Sequence, residues 1–215
     1  MNESLEKVID YCTNNIVKQT KRPLFLGIAG DSGSGKSYLT KLIKEKLEGR
    51  GQGCAVINHD DFLISRTERE PMKSIYYESG EFKGKSHWEI LENMFRLDDF
   101  QHVIDELKAG RCAEYHPYSR ETGTISNTLT KVCPADILIF DTSMMIEHMD
   151  FVILVDVTQE NIIKRKLIRD ADLRTPEQII DMHKRVQGYY WERCRPKHAD
   201  IVIDNNDFSN THIIS

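Results

Sequence analysis

The sequence predicts an α/β protein built on a doubly wound parallel sheet, and three observations support this fold class. Continuous apolar runs at 137–140 and 151–155 are typical of strands buried on both faces of a parallel sheet. Apolar residues at helical spacing occur between the predicted strands. A glycine-rich loop directly follows a third apolar run at 24–29. With 215 residues the chain can bury one sizeable core. We therefore expect a single domain over 1–215, with an inserted substrate region over about 63–131.

The glycine-rich loop matches the phosphate-binding P-loop pattern GxxxxGK[ST] in full. It consists of Gly30, Asp31, Ser32, Gly33, Ser34, Gly35, Lys36 and Ser37. Its glycines allow backbone N–H groups to turn onto phosphate oxygens, and the dipole of the following helix favours the same anion. Lys36 is expected to reach the β- and γ-phosphates of ATP, and the Ser37 hydroxyl to ligate Mg²⁺. Strand, loop and helix together predict a three-layer P-loop NTPase fold rather than an ordinary glycine-rich turn.

The other elements follow from apolar spacing and from glycine and proline positions. In chain order, we predict a helix over 3–18, the P-loop helix over 38–47, a strand over 54–57, a long polar loop over 63–86, a helix over about 88–108, a hairpin formed by 111–115 and 124–130, and a last strand over 201–203. The hairpin and the helix before it are expected to belong to the acceptor-binding insertion.

Composition limits the partners. A net charge of −5 argues against a nucleic-acid-binding protein that works through phosphate neutralisation. Five cysteines, odd in number, widely spaced and without a CxxC pair, indicate neither a disulfide framework nor a zinc site. The first twenty residues lack the apolar core of a signal peptide, and no apolar run is long enough to span a membrane. We expect a cytoplasmic protein without membrane or nucleic-acid partners. The sequence does not decide whether the chain forms a homo-oligomer.

Carboxylates follow two of the predicted strands at the edge where α/β sheets bind ligands. Asp60 comes after the strand over 54–57, where it could accept the proton of an attacking hydroxyl or orient that hydroxyl. Asp141 ends the strand over 137–140, where it could hold the Mg²⁺ hydration shell. The alternative is that Asp60, its neighbour Asp61 and Asp141 are ordinary polar residues at strand ends.

Arginines cluster in the segment over about 158–176. Arg165 and Arg169 are four residues apart and so share one helix face, and Arg174 lies in the loop that follows. Planar guanidinium groups suit phosphate binding and can stabilise charge in a transition state. We expect these three arginines to bind ATP as a lid, with Arg169 acting in catalysis. A solvated charged helix face is the alternative.

Two aromatic residues of the predicted insertion, Trp88 and Tyr118, could stack on the ring of an acceptor. Aromatic residues at helix starts and in turns are at least as often packing residues. The sequence around either residue does not distinguish stacking on an acceptor from packing within the fold.

Five elements in chain order resemble the uridine kinase and phosphoribulokinase branch of P-loop kinases. They are the P-loop at 30–37, His59-Asp60-Asp61-Phe62, Pro117-Tyr118 with Gly123, the arginine segment with Asp170, and the stretch at 195–203. The resemblance implies a kinase fold with an acceptor-binding insertion and an arginine lid, and it implies that Asp60 is the catalytic base. The implied partners are ATP with Mg²⁺ and a small-molecule acceptor.

The chain departs from the family pattern at three places. Asp141-Thr142 stands where the family usually has Glu-Gly, Ser119 replaces the hairpin aspartate, and His87 precedes Trp88 where Asp-Trp is common. The resemblance implies phosphoryl transfer to the 5′-hydroxyl of a pyrimidine nucleoside. Nicotinamide riboside, pantothenate and sugar phosphates are alternative acceptors. A P-loop regulator without an acceptor and an inactive binding module are the alternatives outside this enzyme class.

Overall fold

The computed structural model describes residues 2–215, over which six helices and ten strands are numbered in chain order. The helices are α1 (Glu3–Val17), α2 (Lys36–Glu48), α3 (Arg66–Arg69), α4 (Leu97–Lys108), α5 (Gln159–Arg169) and α6 (Pro176–Tyr189). The strands are β1 (Leu24–Ala29), β2 (Cys54–Asn58), β3 (Ala113–Tyr115), β4 (Tyr118–Ser119), β5 (Thr124–Ile125), β6 (Thr130–Val132), β7 (Ile137–Asp141), β8 (Phe151–Asp156), β9 (Ile201–Asp204) and β10 (His212–Ile213). No helix within the described residues is long and apolar enough to cross a bilayer.

Internal contacts divide the described chain into two compact units. The first, here called the sheet unit, consists of residues 2–57, Pro134–Ile180 and Arg195–Ser215. The second, here called the insertion unit, consists of Asn58–Cys133 and Asp181–Cys194. The insertion expected over about 63–131 falls within the first segment of the insertion unit.

The sheet unit is built on a six-stranded sheet with the order β10-β9-β8-β1-β7-β2. β1 is parallel to both β7 and β8, and β8 is parallel to β9. The predicted α/β class and parallel sheet are therefore confirmed. The sheet also has an antiparallel edge strand, β10, which pairs with β9 and was not predicted. A strand of two residues is too short to produce a recognisable sequence pattern.

The sheet is buried on both faces, which explains its continuous apolar strands. Every residue of β1 is buried. Alternate β1 residues such as Leu24 and Leu26 pack in one core cluster with the apolar faces of α1 and α2, including Ile9 and Ile43. Ala29 belongs to a different cluster, with residues of β8 and β9. The two faces thus carry separate apolar layers, as the period of two along a strand requires.

The insertion unit is made of short elements, and three predictions there need correction. The helix expected over about 88–108 begins only at Leu97 as α4, because 3₁₀ turns occupy His87–Glu89 and Leu91–Met94. Phe95 then adopts extended backbone and forms a bridge with Leu63. The acidic residues of the first α4 turn favour a helix start there.

The predicted hairpin exists, but its strand pairing differs from the prediction. β3 pairs with β6, and the shorter β4 pairs with β5 inside them. Residues 124–125, which were expected to pair with 111–115, therefore belong to the inner hairpin. The outer pairing depends on the register of a distant strand, and local spacing does not specify that register.

A disulfide joins Cys112 and Cys133, so the prediction of no disulfide was wrong. The β3–β6 register pairs Ala113 with Val132, and the two cysteines are the next residues outward on each strand. The two cysteines are 21 residues apart in sequence, and the antiparallel pairing of β3 with β6 brings them together. Cysteine spacing alone does not reveal such a contact.

Candidate functional site

The P-loop connects β1 to α2 in the conformation that its glycines permit. Gly33 and Gly35 both have a φ of 96°, in the left-handed region where side chains are disfavoured. Gly35 also caps the N-terminus of α2, and a Cβ there would lie 2.7 Å from Nδ2 of Asn205. The predicted strand, loop and helix are confirmed in this order, and both glycines are structurally required.

Side chains after two strands hold the carbonyl oxygens of the loop. Ser143, two residues beyond β7, donates its hydroxyl to the carbonyl of Gly30 at 2.6 Å. Asn205, directly after β9, donates from Nδ2 to the carbonyl of Ser34 at 2.7 Å and accepts from the hydroxyl of Thr211 at 2.9 Å. The loop backbone is therefore anchored to the carboxyl edge of the sheet. Neither Ser143 nor Asn205 was predicted from the sequence, because neither belongs to a local motif.

Arg165 is a further anchor of the loop. Its guanidinium donates to the carbonyls of Gly33 at 3.3 Å, Ser34 at 3.1 Å and Asn206 at 3.2 Å. It also lies 3.9 Å from the ring centroid of Phe208. Burial lowers the pKa of this arginine from its ordinary value. The structure thus places Arg165 against the loop backbone, and direct binding of ATP by this side chain stays a prediction.

Lys36 and Asp141 form a buried ion pair. Lys36 begins α2 and is 9% exposed, and Asp141 ends β7 and is 3% exposed. Their Nζ and Oδ1 atoms are 3.8 Å apart. The structure therefore brings together the lysine predicted to bind phosphate and the carboxylate predicted to serve Mg²⁺.

The donor chemistry of the P-loop region fits Mg²⁺. The Ser37 hydroxyl and the Asp141 carboxylate offer the hard oxygen ligands that this cation prefers. Within residues 2–215, no cluster of three or more His, Cys, Asp or Glu side chains could hold a metal ion. Magnesium in phosphoryl-transfer sites is usually held by one or two carboxylates together with phosphate oxygens, so a larger cluster is not required.

Arg169 lies at the C-terminal end of α5, within reach of the loop. Its Nη1 is 3.5 Å from the Ser32 hydroxyl, and its Nε and Nη2 donate to the Asp170 carboxylate at 2.7 and 2.9 Å. This contact is the main reason why the pKa of Asp170 is lowered, with a further electrostatic contribution from Arg174. Arg174 itself is exposed in the turn after α5. Of the three predicted lid arginines, Arg169 is thus paired with Asp170, whereas Arg174 affects this carboxylate only through its charge.

Asp60 lies in a short 3₁₀ turn of the insertion unit, directly after β2. The Asn58 side chain caps this turn by accepting from the backbone N–H of Asp60 at 2.9 Å. Arg120 forms an ion pair with Asp60 Oδ2, and His59 Nε2 lies 3.5 Å from Oδ1. The carboxylate is thus held between two basic side chains. Arg120 was not identified from the sequence, since it lies in a hairpin turn without a distinguishing pattern.

The neighbouring Asp61 has different surroundings. The Tyr115 hydroxyl on β3 donates to Asp61 Oδ2 at 3.1 Å. Partial burial raises the pKa of Asp61 above its ordinary value, although this hydrogen bond opposes the rise. Tyr115 also packs against Phe62, with ring centroids 4.7 Å apart. Asp61 is therefore tied into the core of the insertion unit, whereas Asp60 lies between Arg120 and His59.

Both aromatic residues predicted to bind the acceptor have packing partners. Tyr118 is 9% exposed, and its hydroxyl accepts a hydrogen bond from Arg69 at 2.5 Å. The Trp88 ring is half-buried, with Lys73 Nζ 5.2 Å from its centroid. Stacking of either ring on an acceptor stays a prediction.

Known proteins resemble this chain over most of its length. A uridine kinase of Clostridium botulinum is 28% identical over 196 residues, covering 85% of this chain and 88% of that kinase. The uridine-cytidine kinase B of Dictyostelium discoideum is 25% identical over 206 residues, covering 90% of this chain and 79% of that protein.

The fold is also shared with solved structures. A structure described as a possible uridine kinase from Bacillus stearothermophilus has a TM-score of 0.67 at 24% identity, covering 92% of this chain and 98% of that one. The model of the phosphoribulokinase / uridine kinase family matches residues 25–211. Kinases of this family use ATP, normally with Mg²⁺. Because the match extends from β1 to beyond β9, this chain belongs to the phosphoribulokinase / uridine kinase family of kinases.

Proposed function

We propose that this chain transfers the γ-phosphoryl group of ATP to a hydroxyl of a small acceptor, with the 5′-hydroxyl of uridine or cytidine as the first candidate. The observation that carries the proposal is the anchored P-loop with its buried pair of Lys36 and Asp141. The names of the relatives support the acceptor class, since several are uridine or uridine-cytidine kinases.

On the phosphate side, the loop backbone and Lys36 bind the β- and γ-phosphates. Ser37 and Asp141 hold Mg²⁺, which when bound neutralises charge on the phosphate oxygens. We propose that Arg169 exchanges its contact with Asp170 for one with the transferring phosphoryl group. There its charge would stabilise the transition state more than the ground state. Arg165 and Arg174 complete the proposed lid, Arg165 acting mainly by keeping the loop backbone in place.

On the acceptor side, Asp60 is the proposed general base. Its contacts with Arg120 and His59 restrict the carboxylate to one orientation. A base that is already oriented can accept the hydroxyl proton without first rearranging. Tyr118 and Trp88 are proposed to bind the acceptor ring. Asp61 is not given a catalytic role, because the resemblance to the family assigns the base to Asp60 and because Asp61 is tied to Tyr115 in the core of the insertion unit.

A kinase for another small acceptor is the second candidate. It is supported by Ser119 and His87, which stand where the family commonly has aspartates. A carboxylate that binds a sugar hydroxyl contributes strongly to discrimination, so its absence favours a different set of acceptor hydroxyls.

An acceptor screen tests the proposal directly. ADP formation from ATP would be measured with nucleosides, nicotinamide riboside, pantothenate and sugar phosphates, each compared with the acceptor-free rate and with the Asp60→Asn variant. Uridine or cytidine should raise the rate well above the acceptor-free value. Their 2′-deoxy analogues should be poorer, because partners of the missing hydroxyl would be left unpaired.

Each other result of the screen has a defined meaning. Stimulation by pantothenate or a sugar phosphate instead of nucleosides would contradict the pyrimidine assignment and leave the kinase class intact. Slow ATP hydrolysis that no acceptor stimulates would favour a P-loop regulator and overturn the proposal.

A further inference from the structure

A second buried ion pair joins the P-loop to α5. Asp31, the second residue of the loop, is 9% exposed, and Lys166 in the last turn of α5 is 7% exposed. Their Oδ1 and Nζ atoms are 3.8 Å apart. Removing two charges from water costs free energy that their attraction often fails to recover. Stability alone is therefore a poor explanation for placing this pair beside a phosphate-binding loop.

The stem of Lys166 lies along the loop. A Cβ at Gly33 would be 3.7 Å from Cγ and 3.9 Å from Cε of the lysine, which is ordinary van der Waals contact. Burial lowers the pKa of Lys166, and the nearby Asp31 carboxylate opposes that change. The aspartate thus helps to keep the lysine charged and in place.

Asp31 controls a turn of the loop backbone. Its carbonyl accepts a hydrogen bond from the N–H of Ser34 at 3.0 Å, which closes the turn formed by residues 31–34. The side chain of the same residue is held by Lys166. A change at Lys166 is therefore transmitted to the backbone that must present its N–H groups to phosphate.

The pair also affects the local electrostatics. An aspartate in a phosphate-binding loop repels an incoming polyphosphate, and the repulsion is stronger where water is excluded. An adjacent ammonium group cancels most of this field. Without Lys166, the buried Asp31 carboxylate would lose this ion pair.

We propose that Lys166 is a positioning residue of the nucleotide site, which through its ion pair with Asp31 holds the turn at 31–34 and neutralises the loop for phosphate binding. The inference rests on the proposed function in that it takes the loop ligand to be a nucleotide. It assigns Lys166 no direct contact with phosphate.

The test uses the dissociation constant of Mg·ADP, measured by calorimetry on the full chain without an acceptor. Lys166→Met should weaken binding by about tenfold or more, because Asp31 is left unpaired. Lys166→Arg keeps the charge and should stay within about threefold of the wild type. Lys164→Met is the matched control, since Lys164 is exposed on the same helix and pairs only at the surface with Glu160. It should change binding by less than about twofold.

A double variant separates positioning from direct contact. Asp31→Asn combined with Lys166→Met removes both charges, so ADP affinity should exceed that of Lys166→Met by about threefold or more. It should stay below that of the wild type, because the turn at 31–34 is no longer held by the ion pair. If the double variant binds no better than Lys166→Met, the lysine does not act by neutralising Asp31 and the proposal is overturned. Wild-type affinity in Lys166→Met with only a lower Tm would also overturn it, because the pair would then be purely structural.

Hydrogen exchange of the loop amides covers the case in which Lys166→Met does not fold. Amides at 31–34 should exchange faster in Asp31→Asn than in the wild type, and at the wild-type rate in Lys166→Arg. Equal exchange rates in the wild type and both variants would contradict the proposal. If the wild type binds Mg·ADP but phosphorylates no acceptor, the proposed kinase function fails and this inference stands. If the wild type does not bind Mg·ADP, both fail.

Discussion

The sheet unit and the insertion unit hold their candidate functional residues in different ways. In the sheet unit, the P-loop follows a strand whose six residues are all buried, and its carbonyls are bound by Ser143, Arg165 and Asn205. In the insertion unit, strands of two or three residues carry little backbone pairing. Asp60 and Asp61 are instead held by contacts with other side chains, chiefly Arg120 and Tyr115.

The contrast shows where a local sequence motif is sufficient to specify the geometry of a site. A P-loop needs only a strand, a glycine-rich turn and a helix that are consecutive in the chain, so its local sequence specifies its geometry. Contacts between distant side chains depend on the tertiary fold and on strand register. Lys36 could therefore be identified directly from the P-loop motif. The different surroundings of Asp60 and Asp61 could not be predicted from the sequence.

The largest expected effect belongs to the sheet unit. Lys36→Ala should lower kcat/KM by about 10³-fold or more, because it removes the charge aimed at the transferring phosphate. Steady-state kinetics with ATP would measure this, and circular dichroism would verify folding. Lys41→Ala is the control, because this α2 lysine is exposed and pairs at the surface with Glu45. Equal turnover in the two variants would contradict the P-loop interpretation.

The second prediction concerns the contribution of the Cys112–Cys133 disulfide to the stability of the insertion unit. The Cys112→Ser variant should lose about 3 kcal/mol of unfolding free energy, since the disulfide closes a loop of about twenty residues. Chemical unfolding monitored by fluorescence would measure the loss. Cys54→Ser, at a free and partly exposed cysteine, should have little effect. A similar stability of both variants would mean that the β3–β6 pairing is sufficient without the covalent link.

A third experiment separates the two adjacent carboxylates. Asp60→Asn should lower kcat by about 10²-fold while the KM for ATP changes only a few-fold, because proton acceptance is lost and the phosphate loop is untouched. Asp61→Asn should be much milder, since an amide can still accept from Tyr115. If Asp61→Asn were the more damaging change, the catalytic assignment would be displaced by one residue.

The lid arginines should produce a smaller kinetic effect. Arg169→Ala should lower kcat by about tenfold and raise the KM for ATP by less, because its contact with the transferring group is expressed mainly in the transition state. Arg174→Ala should act in the same direction more weakly. Lys164→Ala on the same helix serves as the control. Unchanged kcat in both arginine variants would leave this segment as a solvated helix face.

The smallest effect concerns Asp61 and stability. Because its pKa is raised in the folded chain, the favourable contribution of the protonated form is complete below the ordinary value of 3.8 and is lost as pH rises through the raised pKa. Asp61→Asn cannot ionise. Its unfolding free energy relative to the wild type should therefore increase as the pH rises from about 3 to about 7. A difference that stays constant with pH would show that the carboxyl group has no such shift.

The sequence was a good guide to the sheet unit. Apolar runs located the parallel strands, and the positions of α1 and the P-loop helix were close to those observed. It was a poorer guide to the insertion unit, where the helix start was misplaced by nine residues, from Trp88 to Leu97. Short 3₁₀ turns and bridges, such as that between Leu63 and Phe95, have no periodic pattern by which they could be recognised.

The fold class, the phosphate-binding loop and the acidic residues at the strand ends follow from the sequence alone. These features depend on consecutive residues and on periodic burial, and both are local properties of the sequence. The pairing of Lys166 with Asp31, of Arg120 with Asp60 and of Cys112 with Cys133 is visible only in the folded chain. Each of these contacts joins residues far apart in sequence, and its formation depends on packing and register rather than on local pattern.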